Sequence, residues 1–220
     1  MPRSNTIIRS GETRQERLVP ALSVRAAESD IRAQFLNGMS RAAFCVSVVT
    51  TDGPAGCSGV TISAMSSVSA DGNSPTILVC IHHQSRTAAA ILENGTFCVN
   101  VLREDQSHIA DRFGGRVQLE DGDKFAGARW VEGNSRAPRL ADAVAAFDCC
   151  VVSAERVGTH HIFIGEVQSV TTGSGTALIY ADRAYGKAQR IEIARPKKSF
   201  VETFRAICQS YFSNGHREAR

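Results

Sequence analysis

The hydrophobic positions of this chain follow two different periods. From Ser29 or Asp30, either of which suits an N-cap, Ile31, Phe35, Leu36 and Met39 fall on one face of a helix running to about Arg41. Beyond it the pattern shortens to β-branched runs bounded by Gly, Pro, Asp or Asn. These are Val46–Thr51, Val60–Ser63, Thr76–His82, Thr96–Leu102, Ala146–Glu155, Ile162–Thr171 and, last, Ala177–Tyr180. Two helices interrupt them: Arg86–Glu93, with Ser85 placed to cap it and Gly95 just past its end, and Glu104–Phe113, stopped by Gly114–Gly115. Strands dominate and no regular β–α alternation occurs. The expectation is a mainly β, Greek-key barrel with flanking helices rather than a doubly wound sheet.

Residues 1–28 are polar and mixed in charge and read as a flexible N-terminal arm; 29–192 read as one domain. The tail, 193–220, carries Phe200, Phe204, Ile207 and Tyr211 at steps of four, three and four, a helical stripe widened by Val201, Cys208 and Phe212. Such a stripe is expected to pack on its own barrel, across a dimer, or on a partner protein.

Composition narrows the function classes. Hydrophobic residues make up 43% of the 220, enough for a core, and the formal charge of +3 is too weak to argue for nucleic acid or a membrane surface. No apolar run approaches the ~20 residues of a membrane span, and the N-terminus lacks a compact secretory core, so a cytoplasmic protein is expected. Of seven cysteines, Cys80, Cys98, Cys149 and Cys150 sit in apolar runs and no CxxC occurs. Buried free thiols in a reducing cytosol are expected, and no metal site. Adjacent His82 and His83 on a strand are expected to point apart and make a poor metal pair.

Three stretches could carry chemistry. Ser85-Arg86-Thr87 follows a strand and opens a helix, where unpaired N–H groups and the dipole favour an anion such as a phosphate; an ordinary cap with an exposed Arg is the plainer alternative. Gly59–Ser69 crowds small and hydroxylated residues at a strand end and the loop after it, open to the edge of a flat heterocycle or simply a Ser-rich turn. Gly158–Val167 starts with His160 and His161, which on a strand project to opposite faces, so one can face a pocket. Gly173-Ser-Gly175 lacks the third Gly and the following helix of a dinucleotide fingerprint.

Taken together, GVTISAMSSVSAD, ILVCIHHQSRTAAAILENGTFCVNVL, IADRFGG, AAFDCCV, GTHHIFIGEV and LIYADRAYG resemble, in order over about residues 30–190, the flavin reductase-like family. The resemblance implies a six-stranded antiparallel split β-barrel, a homodimer, and FMN or FAD near the subunit interface, with NADH or NADPH as co-substrate and a flavin-dependent monooxygenase as partner. It places Thr61, Ser63, Ala64, Ser67 and Val68 along the isoalloxazine and Gln84, Ser85, Arg86 and Thr87 on the ribityl phosphate. Asn100 and Phe113 fall near the flavin, His160 beside the nicotinamide, and Tyr185 closes that side. The chain departs from the family at Phe44-Cys45, at an extra Gly-Asn-Ser before Pro75, and at His82-His83, which bear on the nicotinamide-side wall and the flavin preference.

Hydride transfer from nicotinamide to flavin needs stacking and orientation more than acid–base chemistry, so His160, the expected catalytic-site residue, is given a positioning role first and electrostatic tuning second. The alternatives are a reductase of another acceptor, such as a corrinoid or ferric iron, and a non-enzymatic FMN-binding barrel.

Overall fold

The computed structural model describes residues 21–71, 74–119 and 122–192, with side chains from residue 30 onward. The C-terminal stripe and Cys208 lie outside the described residues. Contacts divide the chain into a unit ending at Lys187 and a second from Ala188 onward. The first half contains α1 (Ala21–Arg41), β1 (Phe44–Cys45), β2 (Ser47–Thr51), β3 (Ser58–Ile62), β4 (Met65–Ser69), β5 (Thr76–His82), α2 (Arg86–Asn94) and β6 (Thr96–Val101). There follow α3 (Ser107–Phe113), β7 (Trp130–Glu132), β8 (Pro138–Leu140), β9 (Ala145–Val157), β10 (His160–Thr172), β11 (Leu178–Ala181) and β12 (Ala184–Lys187).

The main sheet is antiparallel throughout, in the order β3-β2-β6-β9-β10-β5-β4. Its two edges, β3 and β4, are joined by Ser63–Ala64 alone. A sheet whose opposite edges are that close in the chain must curl on itself, so the seven strands form a barrel. Counted as one bent strand, β3–β4 gives the six expected, and the bend marks the seam. Gly59–Ser69 was expected to leave its strand for a loop. Instead Met65–Ser67 pairs with Ile77–Val79, because the free edge of β5 offers the backbone partners that hydroxylated side chains do not exclude.

Alternation places the core. Val49 on β2 points into the barrel with Ile62, Val79, Phe97, Phe163 and the α2 residues Ala88 and Ile91. Val46 and Val48 point outward, under Ile109, Ala110 and Phe113 of α3, with Leu140 and Leu178. Buried on both faces, β2 is an unbroken buried strand rather than an alternating one. The small sheets β1-β11-β12 and β7-β8 complete this outer layer.

α2 starts and stops as its sequence dictates: the Ser85 hydroxyl accepts from Thr87 N at 3.2 Å, and Gly95, at φ 70°, returns its N–H to Ile91. Elsewhere boundaries shift. α1 extends back to Ala21, so the last residues of the expected arm are helical; Ala21–Glu28 contains no helix breaker. α3 begins at Ser107, not Glu104, because Arg103 bridges to Ala177 and the Glu104 N–H goes to Thr176 O. Among the described residues no helix is long and apolar enough to cross a membrane.

Candidate functional site

Three clefts meet along the outer side of β3. The first is lined by Ser58 and Gly59 of β3, by Ser85, Arg86 and Thr87 at the start of α2, and by Lys124 and Phe125; it encloses about 400 Å³. Ser58 Oγ and Thr87 Oγ1 lie 2.9 Å apart, which ties the strand to the first helical turn. Two cations, several hydroxyls and a helix N-terminus converge there, the chemistry of a phosphate cradle. Cys57 is exposed on its rim, and desolvation, reinforced by Asp52 and Asp123, pushes its thiol up to about 11.

The second cleft, about 650 Å³, is mostly apolar. Val60–Ala64 forms one wall, with Cys80, His82, His160 and Ile162 opposite and Phe35 and Met39 of α1 at the side. Ser85 lines both clefts, so the cationic end opens into the apolar one. His160 sits directly across from His82, while His161 pairs with Ile81 and turns its ring to Phe163, 5.7 Å away. The two neighbours do face opposite ways, and His160 is the one in the cleft. Its Nδ1 lies 3.0 Å from Thr159 Oγ1. His82 and His83 do not point apart: their rings stack at 5.0 Å, because β5 ends at His82 and His83 already belongs to the turn. Desolvation, then Arg156 and the neighbouring imidazoles, hold His83 below its usual range. His82 Nδ1 accepts from Gln84 N at 3.2 Å.

The third cleft, about 240 Å³, runs from Thr61 and Ser63 to Gly114, Arg116, Tyr180 and Tyr185. Tyr180 and Tyr185 pair across the β11–β12 hairpin, whose turn puts Asp182 and Arg183 at φ 49° and 61°. Tyr185 donates to Asp111 Oδ1 at 2.7 Å; burial first, and that bond second, push its hydroxyl up to about 12.

Most of the expected residues thus converge: Thr61, Ser63, Ala64, Ser85 and His160 on one cleft, Ser85, Arg86 and Thr87 on another, Thr61, Ser63 and Tyr185 on the third. Ser67 and Val68 follow on exposed β4, and Gln84, expected on the phosphate, lines none of the three clefts and gives its N–H to His82 Nδ1. Phe113 lies just beneath, its ring against Gly59 and within 5.4 Å of Phe125 and Trp130. Asn100 is elsewhere. It is fully buried on β6, where its amide donates to Val48 O and accepts from Leu140 N at 2.7 Å, so its polar atoms are occupied by the framework. Sequence reasoning did not assign Ser58, Lys124, Arg116, Tyr180 or His82 to the site. Of these, Tyr180 inside LIYADRAYG and His82 inside ILVCIHHQSRT lay in stretches already singled out. Among the described residues no cluster of His, Cys, Asp or Glu is placed to hold a metal.

A six-fold antiparallel barrel split at one bend, with a cationic cradle opening into an apolar cleft, defines a split-barrel protein with room for a flat, phosphorylated ligand. The chain belongs to the flavin reductase-like family, whose domain model matches residues 39–189. It is 44% identical to the FMN reductase (NADH) RutF 1 of Methylorubrum extorquens, over 70% of this chain and 75% of that one. Among solved structures it resembles BorF, the flavin reductase component of a bacterial two-component tryptophan halogenase, at 30% identity and a TM-score of 0.63, covering 74% of this chain and 99% of that one. A third relative is the Streptomyces globisporus NADH:FAD oxidoreductase SgcE6 in complex with NAD and FAD fragments, at 27% identity and a TM-score of 0.65, covering 76% and 96%.

Proposed function

We propose that this chain is an NADH-dependent FMN reductase that hands reduced flavin to a partner flavin-dependent monooxygenase. The observation that carries it is Ser85, which lines both the cationic cradle and the His160 cleft. A phosphate held at Ser85–Thr87 with Arg86 and Lys124 therefore has its ring system beside Thr61–Ala64, facing His160. Bound there, flavin supplies the hydride acceptor and carries the electrons away. The protein's part is placement: the cradle fixes one end, backbone groups of Ser63–Val68 border the ring, and His160, steadied by Thr159, holds the donor face to face. FMN reductase (NADH) is the printed name of the relative at 44% identity, which supports NADH over NADPH and FMN over FAD.

The working protein is a homodimer in the cytoplasm. Ile31, Phe35, Leu36 and Met39 of α1 are each between 42% and 64% exposed, and Val152 and Val157 protrude on the outer half of the β9–β10 hairpin. Exposed apolar side chains on this scale favour a second copy. The described cysteines are free, in keeping with a reducing compartment.

Purified protein mixed with NADH or NADPH and with FMN or FAD, followed at the nicotinamide absorbance band, tests the activity. Flavin-dependent NADH oxidation is expected. Flavin binding without oxidation would leave a non-enzymatic barrel, and oxidation only with a corrinoid or ferric acceptor would change the acceptor. Sedimentation analysis tests the dimer.

A further inference from the structure

The cradle at Ser85–Thr87 accounts for the single phosphate of FMN. Arg116, in the cleft beneath the β11–β12 hairpin, is a second cationic point that FMN does not need. Its guanidinium lies over both tyrosine rings, 5.2 Å from the Tyr180 centroid and 5.5 Å from that of Tyr185. It donates to Tyr185 Oη at 3.2 Å, and to Tyr180 Oη and Asp111 Oδ1 at 3.4 Å each. These bonds are at or beyond the long end for N–H donors, so the group is oriented without being saturated. Its side chain stays 53% exposed. Tyr180, accepting from Arg116, keeps its own O–H free to donate. The cleft also holds Thr61 and Ser63, which line the His160 cleft as well, so an elongated ligand with its reactive ring beside His160 can reach Arg116 along β3.

We propose that Arg116 recognises the pyrophosphate of the nicotinamide dinucleotide, so that the cleft beneath the hairpin is the anion-binding arm of the hydride donor's site. The inference rests on the flavin reductase reading given above. A diphosphate diester carries two negative charges and several acceptor oxygens, which a planar guanidinium matches with paired N–H donors. Asp111 fixes one edge of the guanidinium and moderates its charge, so the dinucleotide is held without becoming hard to release.

The test compares the wild type with Arg116→Ala and Arg116→Gln, the latter able to keep hydrogen bonds to Tyr185 and Asp111 without the charge. Two donors are used: NADH, and N-benzyl-1,4-dihydronicotinamide, which has no phosphate. Equilibrium binding of ADP-ribose, which carries the pyrophosphate without the nicotinamide, is read by calorimetry. Both variants are expected to raise the KM for NADH and the Kd for ADP-ribose roughly ten-fold or more, with FMN affinity and turnover of the benzyl donor close to wild type. Equal losses with the two donors, weaker FMN binding, or unchanged ADP-ribose affinity would overturn the assignment and leave Arg116 a clamp between hairpin and α3. If the wild type oxidised neither donor, the reductase reading would fail on its own. Loss of ADP-ribose binding in the variants would still support the anion site.

Discussion

His160 faces His82 across the β5–β10 pair, their rings edge to face with centroids 5.2 Å apart, while His161, the next residue, turns to Phe163 in the barrel interior. One residue of register therefore separates a cleft histidine from a packing histidine. His160→Ala is expected to slow hydride transfer from NADH by roughly ten-fold or more, as loss of donor placement does, with FMN affinity nearly unchanged. His161→Ala should instead lower the melting temperature and leave the transfer rate close to wild type. Stopped-flow reduction and thermal melts of both variants decide this, and the reverse pattern would put the wrong ring in the cleft.

The cradle gives a second expectation. Arg86 and Lys124 are its two cations, and Lys124 donates to Phe113 O at 3.4 Å. Replacing either by Ala should weaken FMN by about ten-fold, in line with loss of a charged hydrogen bond, while riboflavin, which lacks the phosphate, is little affected. Fluorescence titration with both ligands measures the ratio. Equal losses would move the phosphate elsewhere.

Legibility in the sequence followed how local the determinant was. α2 was readable to within a residue because Ser85 and Gly95 act on their own backbone. The facing of His160 and His161 was readable because strand alternation is local. β4 was not, since its hydroxyl-rich run becomes a strand only when the β5 edge arrives from elsewhere in the chain. The stacking of His82 on His83 depended on where β5 ends, and boundaries are the least local feature of a strand. Arg116 and Lys124 sit in a loop-rich stretch with no period to read; their meaning comes from Tyr180, Tyr185 and Arg86, brought near by tertiary structure alone. Asn100 carries the opposite lesson. The family resemblance placed it near the flavin, yet buried amides are first claimed by the framework, here by Val48 and Leu140.

Gly59 is where the cradle and the outer core touch. A Cβ added there would lie 2.6 Å from Phe113 Cε1, inside any permitted contact. Phe113 cannot retreat easily, since Phe125 and Trp130 pack edge-on against it at 5.0 and 5.4 Å. Gly59→Ala should therefore destabilise the fold by roughly 1–3 kcal/mol, the usual cost of overpacking, and weaken FMN through the adjacent cradle. Pairing it with Phe113→Leu, which opens space, should recover part of the stability. Denaturant melts of the single and double variants test this, and additive losses would rule out the contact.

Tyr185 sets an alkaline limit. Burial, and then its bond to Asp111, raise its hydroxyl from an ordinary value of 10.0 to about 12. A raised value means that the folded protein holds the proton more tightly than the unfolded chain does. Below about pH 10 both states are protonated and the contribution to stability is complete. Between about 10 and 12 the unfolded chain ionises first, so stability falls as pH rises, and above the folded value the contribution is gone. Cys57, raised to about 11, and Cys149, raised to about 12, lose stability in the same direction over much the same window, so the wild-type curve alone does not isolate the tyrosine. Tyr185→Phe does: it keeps the ring beside Arg116 but removes the titrating group. The variant is expected to be less stable than wild type at neutral pH, having lost the Asp111 bond, and to show a shallower decline between about pH 10 and 12. Urea midpoints across that range measure both. Parallel curves would mean that Tyr185 ionises as freely in the fold as out of it.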